Sequence, residues 1–157
     1  MDTTPEILKE RLVAFAEGYA SSTGLDLTVS IVRDTPEGVT ISLDGADAAD
    51  LFGKGPRVLD SLQLLATTAC IKRGDPRLNV LFDSDGYRAK REQLLIDTAH
   101  DLAAQVEEAG QEAVLDPLPA QERKIVHNAL LGHSSVMTYS EGDEPRRYIV
   151  IAPKVAQ

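Results

Sequence analysis

An arginine and a histidine four residues apart, Arg123 and His127, are the residues of this sequence best placed to do chemistry. On a helix, positions i and i+4 lie one turn apart on the same face. Ile125 and Val126 can bury the other side, so the pattern predicts an exposed guanidinium and imidazole on a fixed scaffold, with Lys124 beside them. Such a group could hold a phosphate or a base. The other interpretation is a surface pair in which Arg123 bridges to a carboxylate.

Two further arginines, Arg88 and Arg91, open a long helical pattern and lie three residues apart. At that spacing both side chains can reach one partner. Basic residues at a helix N-terminus oppose the helix dipole and destabilise the helix by roughly a few tenths of a kcal/mol. Their presence there suggests that the arginines have another role. The alternative is that they pair with nearby carboxylates, for which Asp83, Asp85 and Glu92 are candidates.

A glycine-containing corner, Gly53-Lys54-Gly55-Pro56, separates two helical patterns. Glycine lets a nucleic-acid backbone approach closely, and the N-terminus of the following helix attracts phosphate. Lys54 and Arg57 would add positive charge there. The same residues are also compatible with a helix–helix turn that needs glycine only for its geometry.

Composition excludes several classes of protein. The chain has 157 residues, is 43% hydrophobic and 26% charged, and carries a net charge of −9, which opposes nonspecific nucleic-acid binding. With no Trp, three Phe and four Tyr, a base-stacking surface would be sparse. No apolar run is long enough to span a bilayer and no basic leader precedes the first helix, so we expect a cytoplasmic protein without membrane insertion.

Catalytic and metal-binding patterns are missing from the sequence. The three histidines and the single cysteine, Cys70, show no metal-ligand spacing, and Cys70 lies in an apolar helical pattern typical of a core. There is no nucleophile elbow, P-loop or dinucleotide-binding glycine run. We therefore expect neither an enzyme nor a protein that needs a metal or cofactor.

The first half of the chain predicts the element order α-β-β-α-α-β. A helix over residues 4–22, with Thr4 as its cap, precedes two strands at Leu25–Arg33 and Val39–Leu43. A helical turn at Asp47–Phe52, a helix from Pro56 to about Lys72 and a strand at Leu78–Phe82 follow. The polar segment after Phe82 predicts a boundary between domains 1–82 and 83–157.

The second half predicts the order α-β-α-β-β, with two helices on a small mixed sheet. Its long helix runs from about Tyr87 to Ala109, followed by a strand at Glu112–Leu115. The helix carrying the Arg-x-x-x-His pair ends at Gly132, and a hairpin of Ser135–Ser140 and Arg146–Ile151 closes the chain. The fold class is therefore α+β.

Three ordered motifs resemble those of the bacterial Jag family, also called KhpB or EloR. Residues 85–91 are similar to its Gly-Tyr-Arg-x-x-Arg signature, residues 119–127 to its Arg-x-x-x-His core, and residues 138–142 to its Thr-x-Ser-x-Gly. The resemblance covers nearly the whole chain and implies a type II KH domain before an Arg-x-x-x-His motif domain. One departure is Pro56, which stands at the second glycine of the family's Gly-x-x-Gly loop and has no N–H to offer.

The resemblance implies a non-enzymatic regulator that binds single-stranded RNA, or single-stranded DNA, with a role in cell elongation or envelope growth. It also implies partnership with a small stand-alone KH-domain protein. By analogy, the nucleic-acid contacts would be Arg123, His127, Lys124, Arg88 and Arg91, with Gly53, Lys54 and Arg57 at the KH loop. A second hypothesis is a protein-interaction module with little nucleic-acid binding of its own.

Overall fold

The computed structural model describes residues 3–53 and 55–154. The chain forms two compact units, Met1–Arg88 and Ala89–Gln157, each with its own hydrophobic core. The division falls in the first turn of a helix, whereas the sequence pattern placed it after Phe82. The domain bounds 1–82 and 83–157 remain a prediction.

The first unit has the predicted order of elements. They are α1 (Pro5–Thr23), β1 (Thr28–Thr35), β2 (Gly38–Asp44), α2 (Ala49–Phe52), α3 (Arg57–Cys70) and β3 (Asn79–Asp83). The order αββααβ is thus confirmed, and the strand bounds differ from the predicted ones by a few residues.

Helix α1 shows how local sequence sets the bounds of an element. The Thr4 hydroxyl accepts a hydrogen bond from the Ile7 N–H at 3.4 Å, and Pro5 occupies the first helical turn, where no N–H is needed. Gly24 ends the helix in the left-handed region at φ 70°. The predicted start, cap and stop of this helix are confirmed.

The sheet of the first unit is mixed. Strand β2 is central, antiparallel to β1 and parallel to β3. Its buried residues Val39, Ile41 and Leu43 pack against α1 and α3 in a core that includes Phe82 and Cys70. Cys70 is 8% exposed, and burial raises the pKa of its thiol, as expected for a core cysteine.

The second unit contains most of α4 and the remaining elements of the chain. They are α4 (Tyr87–Ala109), β4 (Ala113–Val114), α5 (Ala120–Ala129), β5 (Val136–Glu141) and β6 (Tyr148–Pro153). The order αβαββ is confirmed. The expected mixed sheet is wrong, because the strands lie in the order β4-β6-β5 and both neighbouring pairs are antiparallel. β5 and β6 form a hairpin, and β4 joins the other side of β6, so no parallel strands are adjacent.

One face of this second sheet is covered by both helices. Ile149 and Ile151 of β6, together with Val136 of β5, pack against α4 and α5. Helix α4 contributes a stripe of small and branched residues, and α5 contributes Val126. Within residues 3–53 and 55–154, no helix combines the length and hydropathy needed to cross a membrane.

Candidate nucleic-acid interface

Helix α5 presents the Arg-x-x-x-His pair. Pro119 precedes the helix with extended backbone, and Glu122 lies in its first turn, where a carboxylate is favoured by the helix dipole. Val126 anchors the helix in the core, fully buried. The helix therefore fixes the positions of Arg123, Lys124 and His127 relative to the sheet.

Arg123 is buried, which corrects the expectation of an exposed guanidinium. Its side chain is 10% exposed and its Nη2 donates to Glu144 Oε1 at 2.6 Å. Its Nη1 donates to the carbonyls of Leu118 and Arg147, at 3.2 and 3.4 Å. The guanidinium thus ties the start of α5 to the loop between β5 and β6, as the carboxylate-bridging interpretation anticipated in part.

His127 is exposed at the surface of α5, as expected. A hydrogen bond of 2.6 Å joins its Nδ1 to the Thr138 hydroxyl on β5. This bond fixes the plane of the imidazole and leaves the other ring nitrogen for another partner. The histidine of the Arg-x-x-x-His pair and the threonine of Thr-x-Ser-x-Gly therefore form one constellation.

These residues line an open depression between α5 and β5. Thr138 and Ser140 alternate with outward-pointing residues of β5, so both hydroxyls face α5. Lys124 and Arg147 are exposed and supply positive charge. The full lining is Ala120, Arg123, Lys124, His127, Thr138, Tyr139, Ser140 and Arg147. Cations, hydroxyls and an imidazole in one depression suit a sugar-phosphate backbone.

Arg147 is a member of this depression that sequence reasoning missed. Its side chain lies at the rim, while its carbonyl accepts from Leu118 N–H and from Arg123. The available signal was the adjacent pair Arg146-Arg147 at the end of the hairpin turn. The sequence alone did not show that this turn returns beside α5.

The side chains of Arg88 and Arg91 bind different carboxylates. Arg91 makes a two-pronged ion pair with Glu122, with Nε and Nη2 each 2.9 Å from a carboxylate oxygen. Arg88 donates through Nη2 to Asp60 at 2.7 Å and through Nε to the Phe82 carbonyl at 2.8 Å. Both arginine side chains pair with carboxylates, as the alternative interpretation expected, and these carboxylates, Asp60 and Glu122, lie far from them in sequence. The expected Asp83 accepts from the Arg88 backbone N–H at 3.2 Å. Their role as nucleic-acid contacts remains a prediction.

The glycine corner of the first unit has the backbone that a tight turn requires. Gly55 has φ 135°, a conformation that favours glycine, and its N–H donates to the Phe52 carbonyl at 2.6 Å. Pro56 caps α3, and Arg57 is exposed in its first turn. Lys54 lies outside the described residues, and nucleic-acid binding by Gly53, Lys54 and Arg57 stays a prediction.

No set of three or more potential ligands within the described ranges could hold a metal ion. Two carboxylates near the depression form ion pairs within the protein: Glu144 binds Arg123, and Glu122 binds Arg91. The geometry is that of a binding surface made of donors and cations.

Comparison with known proteins agrees with the geometry of this site. Residues 93–153, which include α5, β5 and β6, match the family model of the R-x-x-x-H domain, the domain named for its arginine and histidine. RNA-binding protein KhpB of Clostridium symbiosum is 30% identical over 150 residues, covering 95% of this chain and 68% of that protein. RNA-binding protein KhpB of Bacillus subtilis is 34% identical over 145 residues, covering 91% of this chain and 67% of that protein. The KhpB of Lactiplantibacillus plantarum is 36% identical over 113 residues, 72% of this chain and 35% of the relative. The chain therefore belongs to the KhpB family and carries an R-x-x-x-H domain.

Proposed function

We propose that this protein is a non-enzymatic regulator that binds single-stranded RNA in the depression between α5 and β5. The observation that carries the proposal is the joining of His127 to Thr138, flanked by Lys124, Arg147 and Ser140. The relatives are named RNA-binding proteins, which favours RNA over DNA as the ligand.

The residues of the depression divide into contacts and supports. Lys124 and Arg147 are exposed cations and pair with phosphates. His127 contacts sugar or phosphate through the ring nitrogen that Thr138 leaves free, and Ser140 offers a hydroxyl. Arg123 acts as a positioning residue, because its donors are occupied by Glu144 and two backbone carbonyls.

The test is fluorescence anisotropy of the full chain with a labelled single-stranded RNA, comparing wild type with Lys124→Ala, His127→Ala and Arg147→Ala. Each change removes one exposed contact, so we expect affinity to fall about fivefold, equivalent to about 1 kcal/mol. An exposed histidine on α4, His100, provides the matched control, and His100→Ala should leave affinity unchanged. Wild-type affinity in a folded triple variant would refute the assigned site.

The ligand preference is tested with the same assay. DNA of identical sequence lacks the 2′-hydroxyl, which a protein can use to tell RNA from DNA. We expect the DNA strand to bind more weakly, and the difference to shrink in Ser140→Ala if that hydroxyl recognises the ribose. Equal affinity for the RNA and DNA strands would mean that the depression contacts phosphates and does not recognise the 2′-hydroxyl.

A second candidate function, pairing with a small stand-alone KH-domain protein, is favoured by a specific feature of α3. Val58, Leu64 and Leu65 are 40%, 67% and 60% exposed, on the side of α3 away from its buried residues. We propose that the first unit is a type II KH domain whose α3 pairs with such a partner, and that the protein works in the cytoplasm in cell elongation or envelope growth.

Light scattering of nuclease-treated mixtures with a candidate KH protein tests this pairing. We expect a stable complex with wild type and none with Leu64→Asp. Ser21→Asp, at an exposed position of α1, controls for added charge alone. A complex that survives Leu64→Asp and Leu65→Asp together would exclude α3 as the contact.

The proposed role in cell elongation is tested by measuring cell length in a strain from which the gene for this protein is deleted.

A further inference from the structure

The second sheet has a side that the helices leave uncovered. Alternate residues of its strands point away from α4 and α5, and we call this surface the outward face. It consists of Val114 on β4, Tyr148, Val150 and Ala152 on β6, and Met137, Tyr139 and Glu141 on β5. Val114, Met137 and Tyr139 are 54%, 48% and 40% exposed. The described elements of this unit therefore leave an apolar and aromatic surface open to solvent.

The centre of the outward face is already ordered. Val150 lies opposite Tyr139 on one side and Val114 on the other, and it is only 1% exposed. Cross-strand neighbours of this kind stabilise a sheet and restrict the side chain of Tyr139 to few conformations. Aromatic residues and Met are the types enriched in protein–protein interfaces.

Two carboxylates belong to the same surface. The Tyr139 hydroxyl donates to Glu112 Oε2 at 3.3 Å, and Glu141 lies directly opposite Tyr148 in the β5–β6 register. Loss of hydration together with these carboxylates raises the pKa of both tyrosines above its ordinary value. Neither Glu112 nor Glu141 forms an ion pair with any described residue. The outward face thus combines an apolar centre with two negative charges that no described cation compensates.

This combination selects one class of occupant. Unpaired carboxylates repel phosphates, so a nucleic acid is disfavoured, and a second copy of this acidic face would bring like charges together. Lysine or arginine side chains would compensate Glu112 and Glu141 and could lie on the rings of Tyr139 and Tyr148. Apolar side chains between them would cover Val114 and Met137.

We propose that the outward face binds a protein segment that carries both apolar and basic residues. The depression between α5 and β5 opens on the helix-covered side of the sheet. Tyr139 lines both the depression and the outward face, whereas Val114 and Met137 lie on the outward face and not in the depression's lining. The proposal does not depend on RNA binding. A surface of this few residues, against roughly 20–30 a side in a stable complex, indicates a weak, transient contact rather than an obligate one.

The experiment is selection of random twelve-residue peptides on the immobilised full chain, followed by NMR titration of the enriched peptides. We expect sequences that combine Lys or Arg with aliphatic residues, and chemical-shift changes centred on Val114, Met137 and Tyr139. The paired change Glu112→Gln and Glu141→Gln should weaken binding about tenfold, and Tyr139→Ser at least as much. The matched control is Glu92→Gln with Glu108→Gln on exposed positions of α4, which should bind as wild type.

Circular dichroism and the NMR spectrum of each variant verify that it is folded. The proposal is overturned if no peptide is enriched, if enriched peptides show no preference for basic residues, or if the shifts map elsewhere. It is equally overturned if single-stranded RNA produces the same shifts at Val114 and Met137, which do not line the depression. Concentration-dependent shifts of the protein alone on this face would identify a second copy as the occupant and also overturn it.

Discussion

At the scale of single residues, the arginine of the Arg-x-x-x-His pair is a structural cation. Arg123→Ala would leave the buried Leu118 carbonyl without its side-chain donor, whereas the Arg147 carbonyl would still accept from the Leu118 N–H. An unsatisfied buried acceptor costs about 1–3 kcal/mol, so we expect a loss of roughly 1–3 kcal/mol of stability. Urea unfolding followed by circular dichroism measures it.

Two further variants separate the roles of charge and shape at this position. Arg123→Lys keeps the charge but loses the planar fork, so it should recover little of the lost stability. Glu144→Gln should cost less than about 1 kcal/mol, because the carboxylate is 58% exposed. Full stability in Arg123→Ala, with RNA affinity abolished, would instead make Arg123 a direct contact.

The hydrogen bond from His127 to Thr138 supports a second prediction at this scale. Thr138→Val keeps the shape and the β-branched side chain but removes the hydroxyl that orients the imidazole. We expect RNA affinity to fall about threefold to fivefold, about 1 kcal/mol, with little change in stability. Thr40→Val, at a half-buried strand position in the first unit, is the matched control. Unchanged affinity in Thr138→Val would show that the bond does not orient His127 for binding.

At the scale of elements, α5 is held at both sides by charged side chains. Glu122 in its first turn binds Arg91 of α4, and Arg123 binds the loop before β6. The Glu122 side chain is 11% exposed, so it depends on a partner for its charge. The orientation of the depression between α5 and β5 therefore depends on these two pairs.

A double-mutant cycle at Arg91 and Glu122 tests this dependence. Arg91→Gln should cost about 2–4 kcal/mol because it leaves a largely buried carboxylate, whereas the double change with Glu122→Gln should cost less than the sum. We expect a coupling free energy of about 1–3 kcal/mol from denaturant unfolding. RNA affinity should fall in Arg91→Gln and recover partly in the double variant. A coupling near zero, or affinity lost equally in both, would assign Arg91 to RNA contact instead.

The elements themselves were predictable because their signals are local. Thr4, Pro5 and Gly24 fix α1 through contacts within one turn, and the alternation of apolar and polar residues over 27–31 predicts β1. The buried state of Arg123 had a weaker signal: it lies three residues before Val126 and seven before Leu130, and so belongs to the core-facing stripe. The pairing of Arg123 with Glu144 and the position of Arg147 beside α5 depend on how the β5–β6 hairpin packs against the helix. No local sequence pattern encodes that packing.

At the scale of the whole molecule, the net charge of −9 limits how RNA can be held. Several of the basic residues first assigned to RNA are neutralised within the fold, since Arg88, Arg91 and Arg123 each bind a carboxylate. The depression retains two exposed permanent cations, Lys124 and Arg147. Binding should thus involve few released counterions.

The salt dependence of RNA binding measures that number directly. Each neutralised phosphate contributes roughly −0.7 to the slope of log K against log salt for a single strand, so two contacts predict a slope of about −1.4. Lys124→Ala and Arg147→Ala should each reduce its magnitude by about 0.7, whereas Arg33→Ala, an exposed arginine on β1, should not. A wild-type slope near −4, unchanged in Lys124→Ala, would mean that RNA is held mainly by cations outside this depression.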